Sequence, residues 1–131
     1  MTNENQANVE TLAAVFEAFN RHDADGVMKH MTDDVVFDGA GGPEVYGVRF
    51  NGQQEVGDAF RGVFATFSDV EWADCVHFAS GDRGISEWVF KGTKEDGSRV
   101  EAEGVDLFTF RDGKIASKRA FRKDRPLLNT K

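Results

Sequence analysis

The sequence is organised around one stretch, Glu103-Gly104-Val105-Asp106-Leu107-Phe108-Thr109-Phe110. Its β-branched and aromatic residues predict a strand, which the turn signal Arg111-Asp112-Gly113 ends. Because successive strand residues point to opposite faces, Asp106 shares a face with Phe108 and Phe110. Burial beside two phenyl rings raises the pKa of Asp106, unless a cation or N–H donors stabilise its charge. Asp106 is therefore either a structural hydrogen-bonding residue or a residue that handles protons.

The composition indicates a small acidic domain with an aromatic interior. The 131 residues carry a formal net charge of −7 and include 12 Phe. This length predicts a single domain over residues 1–131, with an ordered core of about 8–123 and flexible ends. The acidity argues against nucleic acid as a partner, because nucleic acid selects basic surfaces. Neither a signal-peptide pattern nor an apolar run of membrane-span length is found, so we expect a cytoplasmic protein that does not bind a membrane.

Apolar residues at helical spacing predict three helices in the first half of the chain. The first follows polar residues 1–7, which we expect to be frayed, and buries Phe16. Asp23 caps a short second helix. Asn51 opens a third helix by side-chain capping, and Phe60 lies in the apolar stripe of that helix.

Strand signals dominate the second half of the chain. Four strand candidates cover about residues 69–80, 84–93, 98–111 and 114–123. Hairpin turns between them predict an antiparallel meander, and helices followed by strands indicate an α+β fold. We expect a curved antiparallel sheet wrapped around the three N-terminal helices to form a cone.

A short strand and a glycine-rich segment lie between the second and third helices. Residues 34–38 read as the strand and residues 39–47 as a loop. The loop lacks the strand and helix context of a phosphate-binding motif. It predicts a flexible flap, with Tyr46 at the mouth of a pocket.

Two motifs within this order of elements carry a resemblance to a known family. They are Asp33-Asp34-Val35-Val36-Phe37 and Val105-Asp106-Leu107-Phe108-Thr109-Phe110-Arg111-Asp112-Gly113-Lys114-Ile115. The sequence resembles the nuclear transport factor 2-like superfamily, and within it the SnoaL-like polyketide cyclases and the ketosteroid isomerases. The resemblance covers nearly all of residues 8–123 and implies a cone-shaped, cystatin-like roll. It identifies the fold more closely than the reaction, because this fold hosts several enzyme classes and proteins with no catalytic role.

The resemblance implies catalytic roles for two carboxyl groups. Asp106 falls where these enzymes place a pocket carboxyl, which acts as an oxyanion donor or as the acid/base. Asp38 falls at or one residue away from the general base of the isomerases. The isomerase tyrosine would fall at Val15 and the last aspartate of the epoxide hydrolases at Ala120. The full set of catalytic residues of either enzyme class is therefore not present in this sequence.

The candidate substrate-binding residues are aromatic or basic. They are Tyr46, Trp72, Trp88, Phe108, Phe110, Phe16, Phe60 and Lys118. If the last strand turns Lys118 and Arg122 inward, either could pair with Asp106, lower its pKa or hold an anionic substrate. A solvated strand end is the alternative for both.

The histidines and the single cysteine give no site signal of their own. No metal-ligand spacing is recognisable, and we expect neither a metal nor a cofactor. His22 and His30 read as solvated residues at helix ends. His77 reads as a structural strand residue with a pocket role left open, and Cys75 as a buried small residue.

Three functional classes follow from these patterns. The first is a cofactor-independent enzyme that moves a proton next to a carbonyl, as an isomerase or aldol-type cyclase of a hydrophobic, small or polycyclic ketone. The second is a non-catalytic protein that binds a small hydrophobic ligand in the same apolar pocket. The third is a dimerisation module with a vestigial cavity. The resemblance also implies a homodimer through the outer sheet face, where Glu87, Glu101 and Glu103 are expected.

Overall fold

The computed structural model describes residues 3–129, which form three helices and seven strands. The helices are α1 (Asn3–Asn20), α2 (Ala24–Met28) and α3 (Gly52–Thr66). The strands are β1 (Met31–Glu44), β2 (Gly47–Asn51), β3 (Glu71–Ser80), β4 (Arg83–Thr93), β5 (Ser98–Arg111), β6 (Lys114–Arg122) and β7 (Leu128–Asn129). The strands form one sheet in the order β2-β1-β6-β5-β4-β3, and β7 pairs with the start of β5.

The curved, unclosed sheet confirms the α+β prediction. Strands β3 to β6 form the predicted antiparallel meander. The pairing of β1 with β6 is parallel, which the meander alone did not predict. It arises because β1 precedes α3 in the chain, and β6 then returns beside β1 and completes the curved sheet.

Helices α1 and α3 fill the concave face of the sheet with aromatic side chains. Phe19 of α1 packs edge-on against Phe60 of α3, with ring centroids 4.9 Å apart. Phe16 packs edge-on against Phe108 of β5 at 6.4 Å. Each buried phenyl ring contributes about 1.5–3 kcal/mol through removal from water. The helical spacing of the phenylalanines therefore places the aromatic core directly under the sheet.

The ends of the described chain are more ordered than the sequence predicted. Helix α1 begins at Asn3, where the prediction had frayed residues; residues 1 and 2 lie outside the described residues. The side chain of Asn5 accepts a hydrogen bond from the backbone N–H of Gly81, and that of Asn8 donates to the Gly81 carbonyl. These bonds to the β3–β4 turn hold the start of α1. Strand β7 likewise extends the sheet beyond residue 123.

The glycine-rich segment forms a β-hairpin in place of the predicted flap. Residues 39–44 continue β1, and Gly39 pairs with Val48 of β2, a strand that the sequence analysis did not predict. Gly47 has a φ of +85°, and a Cβ at this position would collide with the Gly39 carbonyl oxygen. Glycine therefore permits the close approach of the two strands.

Helix caps and helix-end histidines differ in part from expectation. Asp23 caps α2 as predicted, accepting from the Gly26 N–H at 2.9 Å. At α3 the Asn51 side chain makes no cap bond; Glu55 accepts from the Asn51 backbone N–H at 3.0 Å. The prediction that His22 is solvated is wrong, because its Nε2 lies 2.8 Å from the Val70 carbonyl oxygen. Partial burial also lowers the pKa of His30.

The outer face of the sheet carries both apolar and acidic side chains. The exposed apolar residues on it are Val76, Phe78, Ile85 and Phe121. The strand register places Glu87, Glu101 and Glu103 on this face, as expected. The homodimer implied for this face stays a prediction. No helix within residues 3–129 is both long and apolar enough to cross a bilayer.

Candidate functional site

Asp106 lies on the inner face of β5, where its carboxyl group is fully buried. The indole N–H of Trp88 donates a hydrogen bond to Oδ2 at 2.9 Å. The Nζ atom of Lys118 lies 3.1 Å from Oδ1. Trp88 comes from β4 and Lys118 from β6, the two strands that flank β5. Three neighbouring strands thus converge on one buried carboxyl group.

Small residues around Asp106 make room for these partners. Ser86 and Ala120 lie directly across from Asp106 in the sheet register, and Gly104 lies across from Trp88. A Cβ on Gly104 would come within 2.5 Å of Cη2 of the Trp88 indole. Glycine at this position therefore allows the indole to lie across β5 and reach the carboxyl group.

Burial dominates the electrostatics of Asp106 and raises the pKa of its carboxyl group. The nearby Lys118 and the Trp88 N–H act in the opposite direction and offset part of this effect. The pair has zero net charge either as ammonium with carboxylate or as amine with carboxylic acid. Neither arrangement therefore requires a further counterion in the dry interior.

Lys118 is held among aromatic rings as well as beside Asp106. Only 4% of this residue is exposed. Its Nζ lies 4.5 Å from the ring centroid of Phe37 and 5.6 Å from that of Phe60. The faces of aromatic rings attract a cation, and these rings also exclude water from the surroundings of Nζ.

A cavity of about 280 Å³ opens beside the pair. Its apolar wall consists mainly of Phe37, Phe50, Ala59, Val63, Phe67, Trp72, Trp88 and Phe90. Lys118 and Arg122 contribute the charged groups of this wall. Asp106 is fully buried and is not part of the wall, whereas both of its partners are. Of the pair, Lys118, and not Asp106 as predicted, is therefore the member that a bound molecule would meet.

The structure divides the predicted substrate-binding residues into three groups. Trp72, Trp88 and Lys118 line the cavity. Phe60 lies behind the wall, with its ring centroid 5.0 Å from that of Phe37. The core residues outside the wall are Phe16, Phe108 and Phe110.

Asp38 and Tyr46 are not brought together with Asp106, which corrects the predicted site. Phe37 points into the cavity, so its neighbour Asp38 points to the opposite face of β1. There Arg49 binds both oxygens of Asp38, with N–O distances of 2.7 and 3.0 Å. The guanidinium of Arg49 in turn stacks on Tyr46, 3.9 Å from the ring centroid. Tyr46 therefore belongs to this outer cluster and not to the mouth of the cavity.

The sequence analysis missed the part of the wall that the β1–β2 hairpin supplies. Phe37 and Phe50 are cross-strand partners whose stacked rings lie 5.7 Å apart. The alternation Val48-Arg49-Phe50 was the available signal for β2, because one apolar residue on each side of a charged one is typical of a strand. Val63 of α3 and Phe67, which directly follows α3, also belong to this wall.

His77 and Cys75 lie near the pair but outside the cavity wall. Nδ1 of His77 is 2.8 Å from the hydroxyl of Ser86, the residue opposite Asp106. Burial lowers the pKa of His77, which fits a neutral structural residue. Burial also raises the pKa of the Cys75 thiol to about 11. This cysteine is therefore a poor nucleophile at neutral pH.

Other surface features do not offer the same chemistry. A wider depression of about 730 Å³ is lined by three carboxylates, those of Asp74, Glu87 and Glu103, and by two cations, Arg122 and Lys123. Within residues 3–129, no three His, Cys, Asp or Glu side chains converge to hold a metal ion. The Lys118–Asp106 pair and the adjoining cavity are the arrangement best suited to proton transfer on an apolar molecule.

Comparison with solved structures supports this fold along almost the whole chain. A candidate polyketide cyclase from Xanthomonas campestris pv. campestris superposes with a TM-score of 0.81 and 24% identity, covering 92% of this chain and 93% of that one. A second, from Silicibacter sp. TM1040, gives 0.76 and 25% identity over 91% and 90%. An NTF2-like protein of unknown function from Mesorhizobium loti gives 0.77 and 22% identity over 95% and 97%.

Sequence comparison defines the family. None of the curated proteins matches the chain significantly. The family model described as a SnoaL-like domain matches residues 12–118, which is most of the chain. This match shows that the chain belongs to the SnoaL-like family.

Proposed function

We propose that this protein is an enzyme that transfers a proton next to the carbonyl group of a small hydrophobic ketone, as an isomerase or aldol-type cyclase, without a cofactor. The observation that carries the proposal is the position of Lys118, which lines an apolar cavity while its Nζ lies 3.1 Å from the buried Asp106 carboxyl. The SnoaL-like family and the candidate cyclases of the same fold support this reaction class.

Lys118 is the catalytic residue in this proposal. With the proton of the pair on Asp106, Nζ of Lys118 is an amine whose lone pair accepts a proton from the carbon next to the carbonyl. The ammonium formed then donates a hydrogen bond to the enolate oxygen, an interaction that is strong where water is excluded. Return of the proton to a different carbon completes an isomerisation. Return to the alkoxide formed when the enolate carbon attacks a second carbonyl completes an aldol cyclisation.

Asp106 and Trp88 act through Lys118. Asp106 is a positioning residue, since it does not reach the cavity, and it holds the proton that leaves Lys118 free to act as a base. The indole N–H of Trp88 fixes the second carboxyl oxygen, so the first remains directed at Nζ. Burial raises the pKa of the Asp106 carboxyl, and the protonated carboxyl that this favours is the form that the proposal requires.

The cavity size limits the substrate. At about 280 Å³ it lies near the lower end of the range for small-molecule pockets, about 300–1,000 Å³. This volume favours a molecule of one or two rings over a larger polycyclic ketone. The aromatic wall favours a planar molecule, because offset stacking on Trp72, Trp88 and Phe90 adds to simple burial.

Hydrogen–deuterium exchange tests the proposal without knowledge of the natural substrate. In heavy water the wild-type protein should accelerate exchange of the α-hydrogens of 1-tetralone, measured by ¹H NMR. Lys118→Met removes the nitrogen but retains an unbranched apolar chain, and should lower the exchange rate at least about tenfold. Asp106→Asn should lower it as well, because the positioned proton partner is lost.

A double variant, Lys118→Met with Asp106→Asn, controls for an unpaired buried charge. It should be folded by circular dichroism and inactive. Wild-type exchange rates in a folded Lys118→Met protein would overturn the proposal. Binding of ketones without any exchange by the wild-type protein would also overturn it, in favour of a non-catalytic protein that binds a small hydrophobic ligand.

A further inference from the structure

Arg122 lies on an exposed part of the cavity wall. It follows Lys118 and Ala120 on the inward face of β6, because alternate strand residues share a face. It lines the inner cavity and also two surface depressions that adjoin it. Unlike Lys118, Arg122 is exposed. A molecule in the cavity that extends towards solvent can therefore contact this guanidinium.

The charge of Arg122 is not neutralised by an ion pair with any described residue. Several other arginines of this acidic chain do contact carboxylates; Arg49, Arg99 and Arg111 bind Asp38, Glu101 and Asp34 respectively. Within residues 3–129, no carboxylate lies within ion-pair distance of Arg122, and Asp124 acts on it only from farther away. The guanidinium stacks on Phe90 of the cavity wall, 4.8 Å from the ring centroid. This contact orients Arg122 while its N–H donors stay free for a ligand.

The two cations of the wall lie at separate points along β6. Lys118 and Arg122 are four residues apart on β6, which separates their Cα atoms by about 13 Å. Ala120, whose side chain is a single methyl group, lies between them on β6 and also lines the cavity. A planar apolar molecule can therefore lie along β6, with one polar end at each cation.

We infer that Arg122 binds a carboxylate at the exposed part of the cavity wall, so that the substrate class is a hydrophobic keto acid. This inference rests on the proposed function, which places the ketone at Lys118. A carboxylate suits the second position, because the planar fork of a guanidinium matches its two oxygens and gives paired, charge-assisted hydrogen bonds. Arg122 thus selects the substrate and sets which end of it lies at Lys118.

A matched pair of probes tests this inference. The first, 6-acetyl-2-naphthoate, carries a ketone and a carboxylate at opposite ends; the second, 2-acetylnaphthalene, lacks the carboxylate. Isothermal titration calorimetry should show that the wild-type protein binds the acid at least about tenfold more tightly than the neutral ketone. Arg122→Gln should abolish this preference by weakening binding of the acid, and should leave binding of the neutral ketone nearly unchanged.

Arg119→Gln is the matched control, because Arg119 lies on the same strand but faces outward, over Phe121. It removes the same charge from the protein and should leave the preference intact. Equal affinities of the wild-type protein for the two probes, or no measurable binding of the acid, would overturn the inference. So would an equal loss of acid binding in Arg119→Gln and Arg122→Gln.

The exchange assay separates this inference from the proposed function. A carboxylate preference that depends on Arg122, in a protein that catalyses no α-hydrogen exchange, would refute the reaction and retain the anion site. Exchange that depends on Lys118, without a carboxylate preference, would refute the anion site and retain the reaction.

Discussion

The Nζ atom of Lys118 lies 3.1 Å from Oδ1 of Asp106, and both side chains are almost completely withdrawn from water. Two opposite charges in a protein interior lose much of their hydration, and their attraction only partly offsets that cost. Such a pair is therefore poor evidence for a purely stabilising role. Its position at the wall of an apolar cavity supports the proton transfer proposed above.

Replacing one member of the Lys118–Asp106 pair should destabilise the protein far more than replacing both. Asp106→Asn leaves Lys118 buried without a counterion, and Lys118→Met leaves Asp106 in the same state. We expect each single variant to lower the free energy of unfolding by about 3–5 kcal/mol, and the double variant to lie within about 2 kcal/mol of the wild type. Urea denaturation measures all four proteins. Additive losses in the double variant would show that the two groups do not interact.

The loss of unfolding free energy caused by Lys118→Met should depend on pH. Burial raises the pKa of Asp106 above its ordinary value of 3.8, and loss of Lys118 removes the main opposing influence. Between 3.8 and the folded-state pKa, the folded protein binds more protons than the unfolded one. The stabilisation that the protonated Asp106 carboxyl contributes is thus fully present below its unfolded-state pKa. It is lost as the pH rises from that value through the folded-state pKa. The destabilisation should therefore be small near about pH 4 and grow towards about pH 7.

Urea denaturation across this pH range measures the effect. The double variant, Lys118→Met with Asp106→Asn, is the control because it has no carboxyl group at this position. Its stability relative to the wild type should not show the same steep decline. A pH-independent cost of Lys118→Met would mean that Asp106 stays ionised without its partner.

Local periodicity was sufficient to predict that Asp106 lies on the same face of β5 as Phe108 and Phe110. The face of β6 on which Lys118 lies was left open by the sequence, and the structure places it inward, beside Asp106. The family resemblance supported the prediction of a cone-shaped fold. Each of these inferences depends on residues close together in sequence or on a long, specific pattern.

Contacts between distant segments could not be predicted in the same way. The direction of Asp38 depends on the register of the β1–β2 hairpin, and a shift of one residue reverses the face of every side chain. That Lys118 lines the cavity where Asp106 was expected to do so has a different cause. Strand alternation predicts only that two side chains share a face. The bulk of Trp88 and the length of the lysine side chain decide which of the two polar groups lines the cavity.

Gly104 should prove essential because Trp88 lies over it. In Gly104→Ala the new Cβ would overlap the indole and the Phe121 carbonyl oxygen, and displacement of the indole would break its hydrogen bond to Asp106. We expect a loss of about 2 kcal/mol or more in unfolding free energy, with a changed tryptophan fluorescence spectrum. Gly62→Ala is the control, since nothing lies near a Cβ there. That substitution, inside α3, should be stabilising by about 0.5–1 kcal/mol.

Arg49→Gln should lower the stability of the protein without affecting the proposed reaction, because the carboxylate that Arg49 binds, Asp38, lies outside the proposed site. The substitution removes both guanidinium hydrogen bonds from Asp38, which is only 6% exposed, so the urea midpoint should fall. The fall should exceed that of Arg61→Gln, because Arg61 pairs with the well-exposed Asp25 and Asp58. The rate of α-hydrogen exchange should stay within about threefold of the wild type, since Asp38 and Arg49 face away from the cavity. A decrease as large as that of Lys118→Met would instead return Asp38 to the reaction site.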